Sequence, residues 1–286
     1  MDRGIDTAAC TDGDPSCGFR LLRAGSFEMG SPPDEPCREM GPAKENQHTV
    51  TITRDLEVAA TETTREQFAV RMGYNPSQLT PCEQTCPVDH ISWHEAAQYC
   101  NALSREMQRA VCYDCTGSGE LLKCDTAAAY AGQGKTILDC PGYRLPTEAE
   151  WEFAYRAGTS TALYNGALLS CTGADANVDR IAWYDKNSGD TPHPVGGKEP
   201  NAAGLHDMAG NVPEWCHDWY TAGLTYSPVV DPIGPSTPDT GTGRVIRGGG
   251  WGGVAAYARA ASRHLGPPDS NHNIVGFRCM RSALTQ

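Results

Sequence analysis

Tyr143-Arg-Leu-Pro-Thr-Glu-Ala-Glu-Trp-Glu-Phe-Ala154 is the stretch from which the fold can be read. Pro146 breaks any helix running into it, and Thr147 after it can cap a new one. Its hydroxyl accepts from the first turn while Glu150, three residues on, reaches back to the cap. Trp151, Ala154 and Tyr155 then share one helix face. The same device occurs twice upstream. Thr64 with Gln67 opens a short helix carrying Phe68 and Met72. Ser92 with Glu95 opens a longer one, with Trp93, Ala96, Ala97, Cys100, Leu103 and Met107 along one side. Residues 27–31 and the alternating Val50-Thr-Ile-Thr53 read as short strands. Beyond about residue 158 no helical pattern is found. The expectation is an α+β fold, loop-rich, with short strands and three main helices.

Composition agrees with that reading. The 286 residues include 31 glycines and 20 prolines with no collagen-like period, so turns must be frequent. Net charge is −12, which argues against a nucleic-acid partner or an anionic membrane surface. No apolar run approaches the length of a membrane span, so no membrane insertion is expected. Thirteen cysteines are many for a cytosolic enzyme, and point to disulfides in an extracytoplasmic or cell-surface setting, with any signal segment removed. Cys112, Cys115, Cys124 and Cys140 could instead form a zinc knuckle, but the closing half lacks a second C-x2-C. An odd count leaves at least one thiol free or paired between chains.

Further segments have a specificity that composition cannot give: Phe27-Glu-Met-Gly-Ser31, Gly204-Leu-His-Asp-Met-Ala-Gly-Asn-Val-Pro-Glu-Trp215, Arg244-Val-Ile-Arg-Gly-Gly-Gly-Trp251 and Gly276-Phe-Arg278. With Tyr143–Ala154, and in this order, they resemble the formylglycine-generating enzyme family, also called the sulfatase-modifying factor domain. The resemblance runs from about Gly18 to Arg281. It implies a variant of the C-type-lectin-like fold, in which the first and last strands pair and long loops form the ligand surface. Residues 1–17 are then an N-terminal extension and 18–284 a single domain. It also implies calcium ligation by Asp207, Gly210, Val212 and Glu214, a set whose carboxylate and carbonyl oxygens suit that ion. Pro213 stands where tryptophan is usual. A second calcium site of the family would fall near Asn177 and Val178, where the flanking match is poor.

The family's catalytic chemistry uses two copper(I)-binding cysteines just after the glycine-rich segment. Here Gly250–Arg263 contains none, and none occurs between Cys216 and Cys279. Formylglycine-generating oxidase activity, and with it copper, is therefore not expected. The reading is a non-catalytic protein binding a protein or small-molecule ligand. The alternative is a family enzyme with different oxidative chemistry, independent of the cysteine pair. Residues 252–275 lack Glu, Lys, Gln, Met and Trp. They thereby resemble the segment that diversity-generating retroelements vary, between Gly-Gly-x-Trp and Gly-Phe-Arg, in variable proteins on this scaffold. Residues 251–275 are then expected to form an exposed binding surface, with Trp251, Tyr257, His264, Leu265, Asn271 and His272 as contacts. Trp93, Trp151, Trp215 and Trp219 read as core. Arg144, Arg247 and Arg278 read as buried ion pairs with Glu148, Glu150 or Glu152.

Overall fold

The computed structural model describes residues 18–39, 45–78, 82–132, 134–223, 228–238, 243–271 and 274–283. Four short strands come first: β1 (Phe19–Leu22), β2 (Gly25–Met29), β3 (His48–Ile52) and β4 (Leu56–Ala59). The helices α1 (Arg65–Met72) and α2 (Trp93–Glu106) follow, then the hairpin β5 (Tyr113–Thr116) and β6 (Lys123–Thr126). Next come α3 (Glu148–Arg156), α4 (Ala176–Ile181), β7 (Glu214–Trp219), β8 (Val229–Val230), β9 (Arg244–Arg247), β10 (His264–Gly266) and β11 (Met280–Ser282).

All three capping boxes form as reciprocal hydrogen bonds, at Thr64, Ser92 and Thr147. Helix α4 was not expected. At six residues it is too short to show a period, and its cap is Asp175, which accepts from the Asn177 and Val178 N–H groups without a glutamate or glutamine reply.

Sheet order is β1-β4-β11, β10-β9-β7 and β2-β3-β8, with β5-β6 separate. The first and last strands share a sheet, but they do not pair with each other. Both lie antiparallel to β4, one on each side. That corrects the expected pairing, and the reason is burial: Leu56 and Val58 are fully buried, so β4 takes the central place.

Strands β7 and β9 divide the interior. Successive side chains point to opposite faces, so Cys216 and Val245 join one core with α3, while Trp215 and Ile246 join the other with α1 and α2. Buried on both faces, β9 shows no alternation at all.

Among the described residues five disulfides hold the loops: Cys37–Cys171, Cys82–Cys86, Cys100–Cys279, Cys112–Cys140 and Cys115–Cys124. The two in the C-x2-C segment use all four of its sulfurs, which excludes the zinc knuckle there. Cys216 is the free cysteine among the described residues. Cys10 and Cys17 lie outside them.

Candidate functional site

The glycine-rich segment after β9 passes close against its neighbours. A Cβ on Gly250 would stand 2.6 Å from Pro213 Cδ, so Pro213 and Gly250 fit as a pair. At the far anchor, a Cβ on Gly276 would meet the Val88 carbonyl oxygen at 2.6 Å. Between these points the chain is pinned by charge. Arg247 is fully buried and donates to the Ser262 and Ala260 carbonyls at 2.7 and 2.8 Å and to Glu152. Arg259 binds both oxygens of Glu45, at 2.7 and 2.8 Å, and Glu35 at 2.9 Å. Arg263 holds Glu148 in the same two-pronged way.

These contacts divide the expected surface. Residues 258–263 are buried, so 251–275 is not one exposed loop. Two patches remain. The first holds Tyr257, whose ring meets His264 edge-on at 4.7 Å, and Leu265, both about 44% exposed. Trp251 lies partly exposed at its edge. Its backbone is fixed by the Asn211 carbonyl and the Ser188 hydroxyl, and its indole N–H is buried with no partner among the described residues. Asn271 belongs to the second patch, a groove of about 440 Å³ shared with His94, Glu95, Tyr74 and Asp269. The structure does not bring it beside Tyr257. His272 lies outside the described residues.

Three of the four tryptophans read as core are fully buried, Trp93, Trp151 and Trp215, whereas Trp219 at the end of β7 is only partly buried and lines a cavity. Two of the three arginines follow their expected roles. Arg144 pairs with Glu150 and Arg247 with Glu152 and Glu148, all buried. Arg278 is the correction. Its partner is Glu214, held by Nε and Nη2 at 2.6 to 2.9 Å, a residue 64 positions away that local spacing could not indicate.

That pair bears on calcium. Asp207, Glu214 and a third carboxyl, Glu62, surround Arg278. Glu214 also accepts from Trp151 Nε1 at 2.9 Å, and Asp207 from the Gly196 N–H at 2.6 Å. The guanidinium already supplies the positive charge that calcium would bring, and would repel a cation set beside it. Two of the four expected ligands, Asp207 and Glu214, thus lie beside a guanidinium in this structure. Near Asn177 and Val178, both backbone N–H groups are turned to Asp175 in the first turn of α4.

Glu62 was missed in the sequence, where Thr61-Glu-Thr63 carries no local signal. Its oxygens accept from Asn211 Nδ2 at 2.7 Å and the Val212 N–H at 2.9 Å, fixing the turn that leads into β7. Burial, then the Asp207 and Glu214 carboxylates, push its pKa well above the ordinary value. Burial, then Glu148, pushes Asp218 up to about 7. Glu148 and Glu45 go the other way: burial opposes ionisation, yet Arg263 and Arg247, and Arg259, hold them below their ordinary value.

A pH profile follows. Stability owed to Glu148 and Glu45 is present above the ordinary carboxylate pKa and lost as pH falls below it. Stability owed to neutral Glu62 and Asp218 is full below that pKa and lost as pH rises toward the folded value. For Asp218, between 3.8 and about 7, the loss is on the order of 4 kcal/mol at 1.36 kcal/mol per unit. Melting temperature should therefore peak near pH 5 and fall toward pH 8. Scanning calorimetry showing it level or rising over that interval would contradict the assignment.

Cys216 offers no substitute for the absent catalytic pair. It is fully buried, and burial pushes its thiol well above the ordinary value, so it carries no thiolate for metal or disulfide exchange.

A lectin-like scaffold with glycine anchors and a cysteine-free loop defines the class, and comparison with known proteins specifies it. The sulfatase-modifying factor enzyme 1-like domain matches residues 13–283, and the chain belongs to that family. Chaperone protein LppX of Paenibacillus barcinonensis is 31% identical over 239 residues, 76% of each chain. The formylglycine-generating enzyme of Streptomyces coelicolor is 41% identical over 209 residues, 69% of this chain and 53% of that enzyme, so the chain spans about half its length. Among solved structures, Treponema denticola variable protein 1 superposes with a TM-score of 0.74 at 31% identity, covering 93% of this chain and 95% of that one. The α+β fold is thus the formylglycine-generating-enzyme-like variant of the C-type lectin fold.

Proposed function

We propose that the protein is a non-catalytic binder that presents a diversified surface on this scaffold. The observation that carries the reading is the loop from Trp251 to Leu265. Its frame is fixed by buried Arg247, Arg259 and Arg263, while Trp251, Tyr257, His264 and Leu265 reach the surface between those fixed points. Such a frame lets outward side chains change without disturbing the core. The likeness to a variable protein over nearly the whole chain supports it. Asn271, in the separate groove with His94 and Asp269, is a second contact region of this proposal, and His272, outside the described residues, is an expected contact with it. The ligand is a protein or small molecule met outside the cytoplasm, a setting with which five disulfides are compatible. No helix among the described residues is long and apolar enough to cross a membrane.

The test is a screen of the protein against a glycan array and a displayed peptide library, repeated with Tyr257→Ala, His264→Ala and Leu265→Ala combined. Exposed changes cost about 0.5 kcal/mol each, so the melting temperature should move by only a few degrees. The hits found with the unaltered protein should vanish. Undiminished hits would place the ligand elsewhere. Sequencing sister copies of the gene is the independent check, with differences expected to concentrate at outward positions of 252–275 and not at Arg259 or Arg263.

A further inference from the structure

Every buried arginine among the described residues except one pairs with an aspartate or glutamate within 3.0 Å. The exception is Arg244, at the start of β9. It is 5% exposed, and its guanidinium is clamped between the rings of Trp93 and Trp219, 4.0 and 3.9 Å from their centres. Nη1 donates to the His217 carbonyl at 2.6 Å, and the Nε–H has no hydrogen-bond partner among the described residues. A buried cation with no carboxylate paired directly to it is costly. Here the cost shows as a pKa drawn down by burial to about 10.

Arg244 lines a cavity of about 380 Å³ on the other side of β7 and β9 from the α3 core. That volume falls within the range of small-molecule sites. Trp219, Ile137, Ile233 and Pro235 give it apolar walls, while Lys135 and Asp125 add one charge of each sign. Asp218 also faces it, with both oxygens already accepting backbone N–H groups, from Glu148 and Gly234.

We propose that this cavity binds a small organic carboxylate, its oxygens on the Arg244 guanidinium and its apolar body against Trp219, Ile137 and Ile233. The planar fork of arginine matches a carboxylate, and the flanking rings hold that fork rigid before the ligand arrives. With Asp125 and Asp218 nearby and a single lysine to offset them, a monoanion is favoured over a doubly charged phosphate. Asp218, near neutral at pH 6, repels such a ligand little at that pH. The site is distinct from the surface around Tyr257, so either can fail without the other.

Titration calorimetry of the full chain at pH 6 with benzoate, phenylacetate and 3-phenylpropionate tests this, with benzamide, phenylacetamide and inorganic phosphate alongside. At least one carboxylate should saturate at one per chain, with its amide at least tenfold weaker. Arg244→Gln should weaken it at least tenfold. Should that variant fail to fold, Ile233→Trp fills the cavity from a half-exposed wall position and should abolish binding, whereas Tyr257→Ala should leave it unchanged. The proposal is overturned if no carboxylate saturates, if amide or phosphate binds as tightly, or if folded Arg244→Gln or Ile233→Trp binds as the unaltered protein does.

Discussion

Glu152→Ala should leave little or no folded protein at 25 °C. The Glu152 side chain is 1% exposed and serves three donors at once. Oε1 accepts from the Gly30 N–H at 2.8 Å and from Arg156 Nε at 2.9 Å, and Oε2 accepts from Arg247. Alanine removes the charge but leaves both guanidiniums buried. Breaking one such pair by deleting a partner costs about 3–5 kcal/mol, and here two pairs share the deleted carboxylate. Arg247 keeps Glu148 at 3.6 Å and two carbonyls, which softens the loss without replacing the charge. The expected loss is about 5 kcal/mol or more, against a typical total of about 5–15 kcal/mol. Glu199→Ala is the control. Its pair with Arg180 is more than half exposed on both sides, so the change should cost less than about 1 kcal/mol. Urea denaturation compares the two. A loss under about 2 kcal/mol in the Glu152→Ala variant would mean that the arginines find other partners, and that this network is not what fixes the loop frame.

How far such a structure can be read from its sequence depends on the distance over which each contact acts. The capping boxes at Thr64, Ser92 and Thr147 were legible because cap and reply are three residues apart, and all three formed. Helix α4 lacks that reply and was missed. The loop after Trp251 was misread for a different reason. Arg259 and Arg263 stand in a run of small residues with no acidic neighbour, and their carboxylates are Glu45, 214 residues away, and Glu148, 115 residues away. Nothing nearby in the sequence announces either. Ala258, Ala260 and Ala261 are small enough to pack against the core between them. A stretch that composition marks as surface is therefore half interior. Arg278 shows the same limit: its motif marked it as buried and paired, but the partner's identity was a matter of three-dimensional order. The central position of β4 between the chain's two ends is likewise set by burial of Leu56 and Val58 from both sides, which pairing rules alone do not supply.

The second large effect concerns Cys100–Cys279, which ties helix α2 to the residue directly after Gly276-Phe277-Arg278. A cross-link acts chiefly by restricting the unfolded chain, and the restriction grows with the length it closes. This one spans a sequence separation of 179, whereas Cys82–Cys86 spans 4. Loop-closure entropy then gives roughly 5 kcal/mol for the first and roughly 2 kcal/mol for the second. Replacing Cys100 and Cys279 together by alanine should lower the denaturant midpoint at least twice as far as replacing Cys82 and Cys86. Both sulfurs of the long cross-link are buried, so their removal also leaves a small cavity that adds to the loss. The consequence reaches the binding surface, because Phe277 packs in the core beside Phe68 and Tyr99, and Gly276 fixes the end of the loop. Without the cross-link, amide exchange should quicken at residues 276–280 before it does in α3. If the two double replacements cost the same, or if exchange rises first in α3, the C-terminal anchor is held by packing and by Arg278 with Glu214, and the disulfide only adds to a strand already in place.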